Sequence, residues 1–271
     1  MTRRQFALLA IPAAASYPCY LEPRWLTLTR PQVTLSKRLA EPVRILHLSD
    51  FHRSGIVPLS LIQRAITLGL GQKPDLICVT GDFITGSLDD HSESYTSALA
   101  RLSAAAPTFA VLGNHDGGSW ARRMDGYSDH SAVKDLLRRS GVHLLHNESA
   151  SVRVRSTEFR LAGVGDLWSD EVDARRAFAG AGNSPTVLLA HNPDTKDVVR
   201  HPWDLMLSGH THGGQVIVPL AGPAFAPVAD KRYVGGLAAW GDRQIHVSRG
   251  VGSLGGVRFG CRPEVNLLTL T

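Results

Sequence analysis

Val43-Arg44-Ile45-Leu46-His47-Leu48-Ser49-Asp50-Phe51-His52 decides how this chain is read. The aliphatic run predicts a buried strand over 43–48, and straight after it come an aspartate and a histidine two positions apart. The same event recurs four times. Leu76–Thr80 runs into Gly81-Asp82, Thr108–Leu112 into Gly113-Asn114-His115-Asp116, Thr186–Ala190 into His191-Asn192, and Leu205–Leu207 into Ser208-Gly209-His210-Thr211-His212. Ligand sites of open sheets gather beyond the carboxyl ends of strands, so five runs ending in Asp, Asn or His predict one shared polar cluster. Extended backbone alternates its side chains, which places Asp50 with His52 and His210 with His212 on a common side. Gly81, Gly113 and Gly209 precede their ligands, where a missing Cβ permits a tight turn and close approach.

Further along the chain, short apolar runs alternate with amphipathic segments, the pattern of an α/β or layered α+β domain. Helices are expected at 59–70, 92–103, 131–139 and 172–179. Later strands are expected at 215–218, 233–238, 244–248 and 265–270. The clustered donors are Asp50, His52, Asp82, Asn114, His191, His210 and His212, a mixed carboxylate, amide and imidazole set with no thiolate. Such a set suits Mn²⁺, Fe²⁺, Zn²⁺ or Mg²⁺. Seven donors are too many for one tetrahedral ion and suit two divalent ions sharing a carboxylate, as in phosphatases and nucleases.

In their order, these blocks resemble the calcineurin-like metallophosphoesterases: Asp-x-His, Gly-Asp, Gly-Asn-His-Asp, a lone His, then Gly-His-x-His. The resemblance implies a four-layer sandwich of two mixed β-sheets flanked by helices. It implies that Asp50, His52 and His212 hold one metal and Asn114, His191 and His210 the other, with Asp82 bridging. It makes His115 the catalytic residue that assists the leaving group, and Asp116 its orienting partner. Leu188–Asp194, Gly209–Gln215, Val247–Gly252 and Arg262-Pro263-Glu264 narrow the resemblance to an exported or membrane-associated bacterial branch. That branch includes twin-arginine-exported phosphodiesterases and UDP-2,3-diacylglucosamine pyrophosphatases of lipid A synthesis. Mn²⁺ is the metal first expected, and a lipid-linked nucleotide diphosphate at a membrane surface the substrate first expected; nucleotides or other soluble phosphoesters are the alternative.

The first residues, Thr2-Arg3-Arg4-Gln5-Phe6 before an apolar stretch to Ala15, resemble a twin-arginine export signal. The stretch is short for a spanning helix of ~20 residues, so 1–19 reads as a cleaved signal or a shallow anchor. Export and attachment to the inner membrane both stay open, as does the membrane face. Residues 20–42, with prolines at 23, 31 and 42, read as a linker, and 43–271 as the domain.

A hydrophobic share of 43% and a charged share of 20% suit a globular protein, and the net charge of +5 suits an anionic substrate. No dense basic run argues for nucleic acid. Three scattered cysteines exclude a disulfide framework and a thiolate zinc site. Arg249, Arg258 and Arg262 lie in a Gly-rich stretch that is either a plain connection or a phosphate-contacting loop; Arg249 and Arg258 are the candidate substrate contacts. His47, His130, His143, His146, His201 and His246 read as structural or solvated, and His91 as a helix-start residue. A catalytically silent scaffold is the rival class, and it would be expected to have lost some of these ligands.

Overall fold

The computed structural model describes residues 16–88 and 92–271. Strand β1 covers Thr27–Thr29, β2 Gln32–Val33, β3 Val43–Leu48, β4 Leu76–Thr80, β5 Thr108–Val111 and β6 His143–Leu144. Then follow β7 (Glu148–Val154), β8 (Thr157–Gly163), β9 (Thr186–Leu189), β10 (Leu205–Ser208), the short β11 (Ile217–Val218) and β12 (Gly222–Pro223), β13 (Gly236–Trp240), β14 (Arg243–Val247) and β15 (Glu264–Leu270). The helices are α1 (Leu59–Leu70), α2 (Ser92–Ala105), α3 (Gly118–Arg123), α4 (Ser131–Arg139) and α5 (Ala174–Ala177).

Two mixed sheets stack face to face. In the first, β3, β4, β5 and β6 run parallel, and β15 closes antiparallel on β3. In the second, β14, β10, β9 and β8 run parallel, bounded by antiparallel β13 and β7. The two-residue period assigns the faces. Val43 and Ile45 meet Leu205, Leu207, Val187 and Leu189 in the core between the sheets. Leu46 and Leu48 point away, into a second core beneath α1, α2 and α4. Each such side chain contributes ~1.5–3 kcal/mol on burial. The far face of the second sheet is covered by α5, the turn at Pro193–Asp197 and the Val228–Tyr233 loop. This is the expected four-layer arrangement.

Helix α1 illustrates the local logic. Pro58 is its N-cap, and Leu61, Ile62, Ala65, Ile66 and Gly69 recur at helical spacing as its buried face. Gly69 lies against the Leu46 side chain at a distance where a Cβ would collide.

Residues 20–42 are not a linker. β1 and β2 pair with β15, Val33 is fully buried, and Leu35 and Leu39 join the inter-sheet core. Pro31 fits because the Pro31 carbonyl still accepts from the Thr269 N–H at 3.0 Å. The expected helix at 172–179 shrinks to α5, whose N-cap Asp173 accepts from the Arg176 N–H. The export segment to residue 15, and His91, lie outside the described residues. Among the described residues no helix is long and apolar enough to cross a membrane.

Candidate metal centre

All seven expected donors converge at one end of the two sheets, each less than a tenth exposed. Asp82 stands at the middle. Its Oδ2 lies 3.3 Å from His52 Nε2 and 3.1 Å from His191 Nε2. On the His52 side, His52 Nε2 and His212 Nε2 are 3.0 Å apart, and Asp50 Oδ1 is 3.6 Å from His212 Nε2. On the His191 side, His210 Nδ1 lies 2.9 Å from Asn114 Oδ1 and 3.2 Å from His191 Nε2. The distances thus gather all seven donors into one cluster around Asp82, within which Asp50, His52 and His212 lie together and Asp82 adjoins His191.

A test of fit to cations comes from what these atoms face. His191 Nδ1 donates to the Thr80 carbonyl at 2.7 Å, so the Nε2 lone pair of a neutral ring points at a carboxylate oxygen. Lone pairs converging in this way call for a positive charge between them. In the protein alone that charge falls on His191. Burial opposes it, yet Asp82, in contact, and then Asp50 push its pKa up to about 10. Burial takes His52 down to about 3, and desolvation holds His210 and His212 well below the ordinary imidazole value. For Asp82, burial pulls upward but the surrounding His191, His115 and His52 keep it well below the carboxylate range. The donor set fits two divalent ions.

The backbone that presents these side chains is not extended. Asp50, His52, Asp82, His210 and His212 all have φ between 46° and 71°, a region costly for residues with a Cβ. Left-handed turns, rather than strand alternation, aim the paired ligands. Space is equally tight: a Cβ on Gly113 would strike the Asp82 carboxylate, and one on Gly209 would strike Ser49 Oγ and Asp50 Oδ2.

His115 also reaches the centre, with a ring nitrogen within 4.8 Å of the donor atoms of His52 and Asp82. Its ring is 4.9 Å from that of His52 and edge-on to Trp120 at 4.5 Å, and burial lowers its pKa. Asp116 does not touch the His115 ring. Its carboxylate accepts the backbone N–H groups of Gly113, Asp82, Phe83 and Ile84 at 2.7–3.3 Å, tying the loop after β5 to the loop after β4. The bonds of Asp116 thus form a clamp on two ligand loops, one of which carries His115, and the His115 N–H donates to Asp82 Oδ1 at 2.9 Å.

The two candidate arginines stand elsewhere. Arg258 is fully buried behind His212, with Nη2 3.3 Å from His212 Nδ1 and further bonds to the carbonyls of Arg249, Gly252 and Cys261. The Arg258 backbone N–H donates to the Pro18 carbonyl at 2.8 Å, and the Cys261 N–H to the buried Glu22 Oε1 at 2.6 Å. Cys261 Sγ in turn lies 3.1 Å from the His212 carbonyl. Arg249 pairs with Glu264 at 2.7 Å and lines a neighbouring depression with Lys231 and Gly236. Arg232 pairs with Asp230.

The cleft over the centre has a volume of about 360 Å³. Asp82, Asn114, His115, His210 and His212 line it together with Thr85 and an apolar wall. That wall contains Trp120, Met124, Trp168, Phe225, Pro227 and Leu254. Among the described lining residues there is no lysine or arginine. The two tryptophans, Trp120 within α3 and Trp168 in the loop beyond β8, carry no motif in the sequence; only the fold brings them to the centre.

The profile of the calcineurin-like phosphoesterases matches residues 43–214. The chain is 44% identical over 276 residues to phosphodiesterase YaeI of Escherichia coli (strain K12), covering 100% of this chain and 99% of that one. UDP-2,3-diacylglucosamine pyrophosphatase LpxG of Chlamydia trachomatis is 27% identical, covering 92% of this chain and 90% of the relative. The fold resembles that of a 5'-nucleotidase precursor from Thermus thermophilus, with a TM-score of 0.51 at 12% identity. That match covers 84% of this chain, which spans 55% of the longer nucleotidase.

Proposed function

The chain belongs to the calcineurin-like phosphoesterase family and is a metal-dependent phosphoesterase, and on that premise we propose that it hydrolyses phosphodiesters. The observation that carries the choice is the cleft. Its described lining offers the metal donors, one hydroxyl and an apolar wall, with no guanidinium or ammonium to neutralise a second phosphate. A diester brings one negative charge, whereas a monoester or a diphosphate brings more. The YaeI relative, alike over its full length, is itself a phosphodiesterase, which supports the same reading.

Two divalent ions, Mn²⁺ first among them, supply Lewis-acid stabilisation of the phosphoryl oxygens and activation of the attacking water when bound. Asp50, His52 and His212 would hold one, Asn114, His191 and His210 the other, with Asp82 shared. The protein's own groups do the rest. Asp116 fixes the two loops, so that Asp82 and Asn114 keep their separation. His115, buried beside the cluster, holds a ring N–H for the leaving oxygen. Preorganised donors of this kind usually supply the largest catalytic contribution. The test is direct: Mn²⁺-loaded protein should hydrolyse bis(4-nitrophenyl) phosphate with a higher kcat/KM than 4-nitrophenyl phosphate. Equal or faster turnover of the monoester sinks the reading.

Hydrolysis of a lipid-linked nucleotide diphosphate is the second reading, supported by the LpxG relative and the apolar wall. It is the weaker, because Arg258 is buried and Arg249 faces a separate depression. Export completes the proposal, resting on the paired Arg3-Arg4. Replacing both with lysine should retain the protein in the cytoplasm; unchanged fractionation removes that part alone.

A further inference from the structure

Two tryptophans stand against the metal centre with no part in holding metal. Trp120 and Trp168 lie 5.6 Å apart with planes tilted by 37°. Each presses on an imidazole of the centre: Trp120 edge-on to His115 at 4.5 Å, Trp168 perpendicular to His210 at 4.2 Å. Their support is built. Gly117 and Gly118 both take positive φ, and a Cβ on Gly118 would collide with Glu171, so α3 packs directly on the loop that carries Trp168. The Trp120 backbone N–H donates to Ser169 Oγ, and Asp166 Oδ2 accepts the Ser169 N–H at 2.7 Å. Trp168 nonetheless remains 37% exposed, an indole surface open beside the reacting atoms.

We propose that Trp120 and Trp168 form a subsite for a planar aromatic substituent of the substrate diester, and so determine specificity. The proposal rests on the phosphodiesterase reading and deepens it. A cleft of about 360 Å³ is at the small end of ligand pockets and suits one ring system beside the phosphate rather than long acyl chains. Tilted indoles favour a third ring through their quadrupoles, in offset or edge contacts with centroids ~4.5–7 Å apart. Saturated groups gain only area there. Because both indoles touch centre imidazoles, the seated ring is the one bonded to phosphorus or to its ester oxygen.

Three monoanionic probes, each with a C–P bond that hydrolysis does not cleave and methoxide as its sole, poor leaving group, separate the cases: the methyl esters of benzyl-, cyclohexylmethyl- and dodecylphosphonic acid. Inhibition constants and quenching of indole fluorescence are read on the Mn²⁺-loaded full chain. The benzyl probe should bind roughly three- to tenfold more tightly than the cyclohexylmethyl probe. That ratio should collapse towards one in Trp168→Ala and recover in Trp168→Phe, with bound metal unchanged in both. A ratio near one in the native protein, tightest binding of the dodecyl probe, or an equal loss for all probes in Trp168→Ala would each overturn the subsite. None of these outcomes depends on whether diesters or monoesters turn over faster, so the two readings fail separately.

Discussion

The first sheet brings both carboxylates of the centre, Asp50 and Asp82, with the amide of Asn114 and the imidazole of His52; the second brings only imidazoles, His191, His210 and His212. One half therefore carries the negative charge, and the other supplies neutral donors that burial keeps from protonating. His191 is the informative exception, since it is pulled towards protonation by the opposite sheet's Asp82. A cation between the halves satisfies both, which makes the centre a link between sheets as well as a site of chemistry.

Asp82 is the group on which this comparison turns, and Asp82→Asn should have the largest effect. Metal analysis should show both ions weakened, with activity falling by more than the ~10²–10⁴-fold that loss of a general acid costs. Retention of two ions would break the picture of a shared carboxylate. Next comes the contrast of neighbours on one loop. His115→Ala should keep its metal and lose ~10²–10⁴-fold in kcat, whereas Asn114→Ala should lose the ion on the His191 side. The reverse pattern would exchange their roles.

Gly209→Ala tests the closeness of the halves rather than their charge. Its methyl group would enter the space of Ser49 and Asp50, across the sheet boundary. A stability loss of ~1–3 kcal/mol is expected by denaturant unfolding, together with weaker metal binding. No change in either would mean that the loops have slack. The smallest effect concerns the clasp between His130, before α4, and Glu171, beyond β8. His130 Nε2 lies 2.8 Å from Glu171 Oε2; burial alone would lower its pKa, but the bond to Glu171 raises it above the ordinary value. With the folded value raised, the clasp stabilises fully below about pH 6.5 and fades as pH climbs through the folded value. His130→Gln should cost about 1 kcal/mol at pH 6 and less at pH 9, by thermal unfolding.

The sheet centres were legible because their strands are short, mainly apolar runs, and the ligands because they follow such runs closely. Helix α1 appears at its expected bounds for the same kind of reason, a clean apolar face after Pro58. The β7–β8 hairpin was missed. Its turn is Arg155-Ser156, without the Asn-Gly or Asp-Gly signal, and β7 alternates small residues such as Ser149, Ala150 and Ser151. β1 and β2 were hidden by brevity and by flanking prolines that an edge strand tolerates. Left-handed ligand backbones and the Asp116 clamp leave no periodic trace, since they depend on which loops the fold sets side by side. His47 and His246 show the same limit. Read as separate residues without partners, they meet between the sheets with Nδ1 atoms 3.0 Å apart.

The contacts of Pro18 and Glu22 with the loop behind His212 bear on how much of the N-terminal stretch the centre needs. A peptidase that cuts ahead of Ser16 leaves the Pro18 carbonyl for the Arg258 N–H and the Glu22 carboxylate for the Cys261 N–H. One that cuts beyond Glu22 removes both, and with them the backing of a histidine far away in sequence. Truncations ahead of Ser16 and beyond Glu22 would then differ in how long the centre stays loaded.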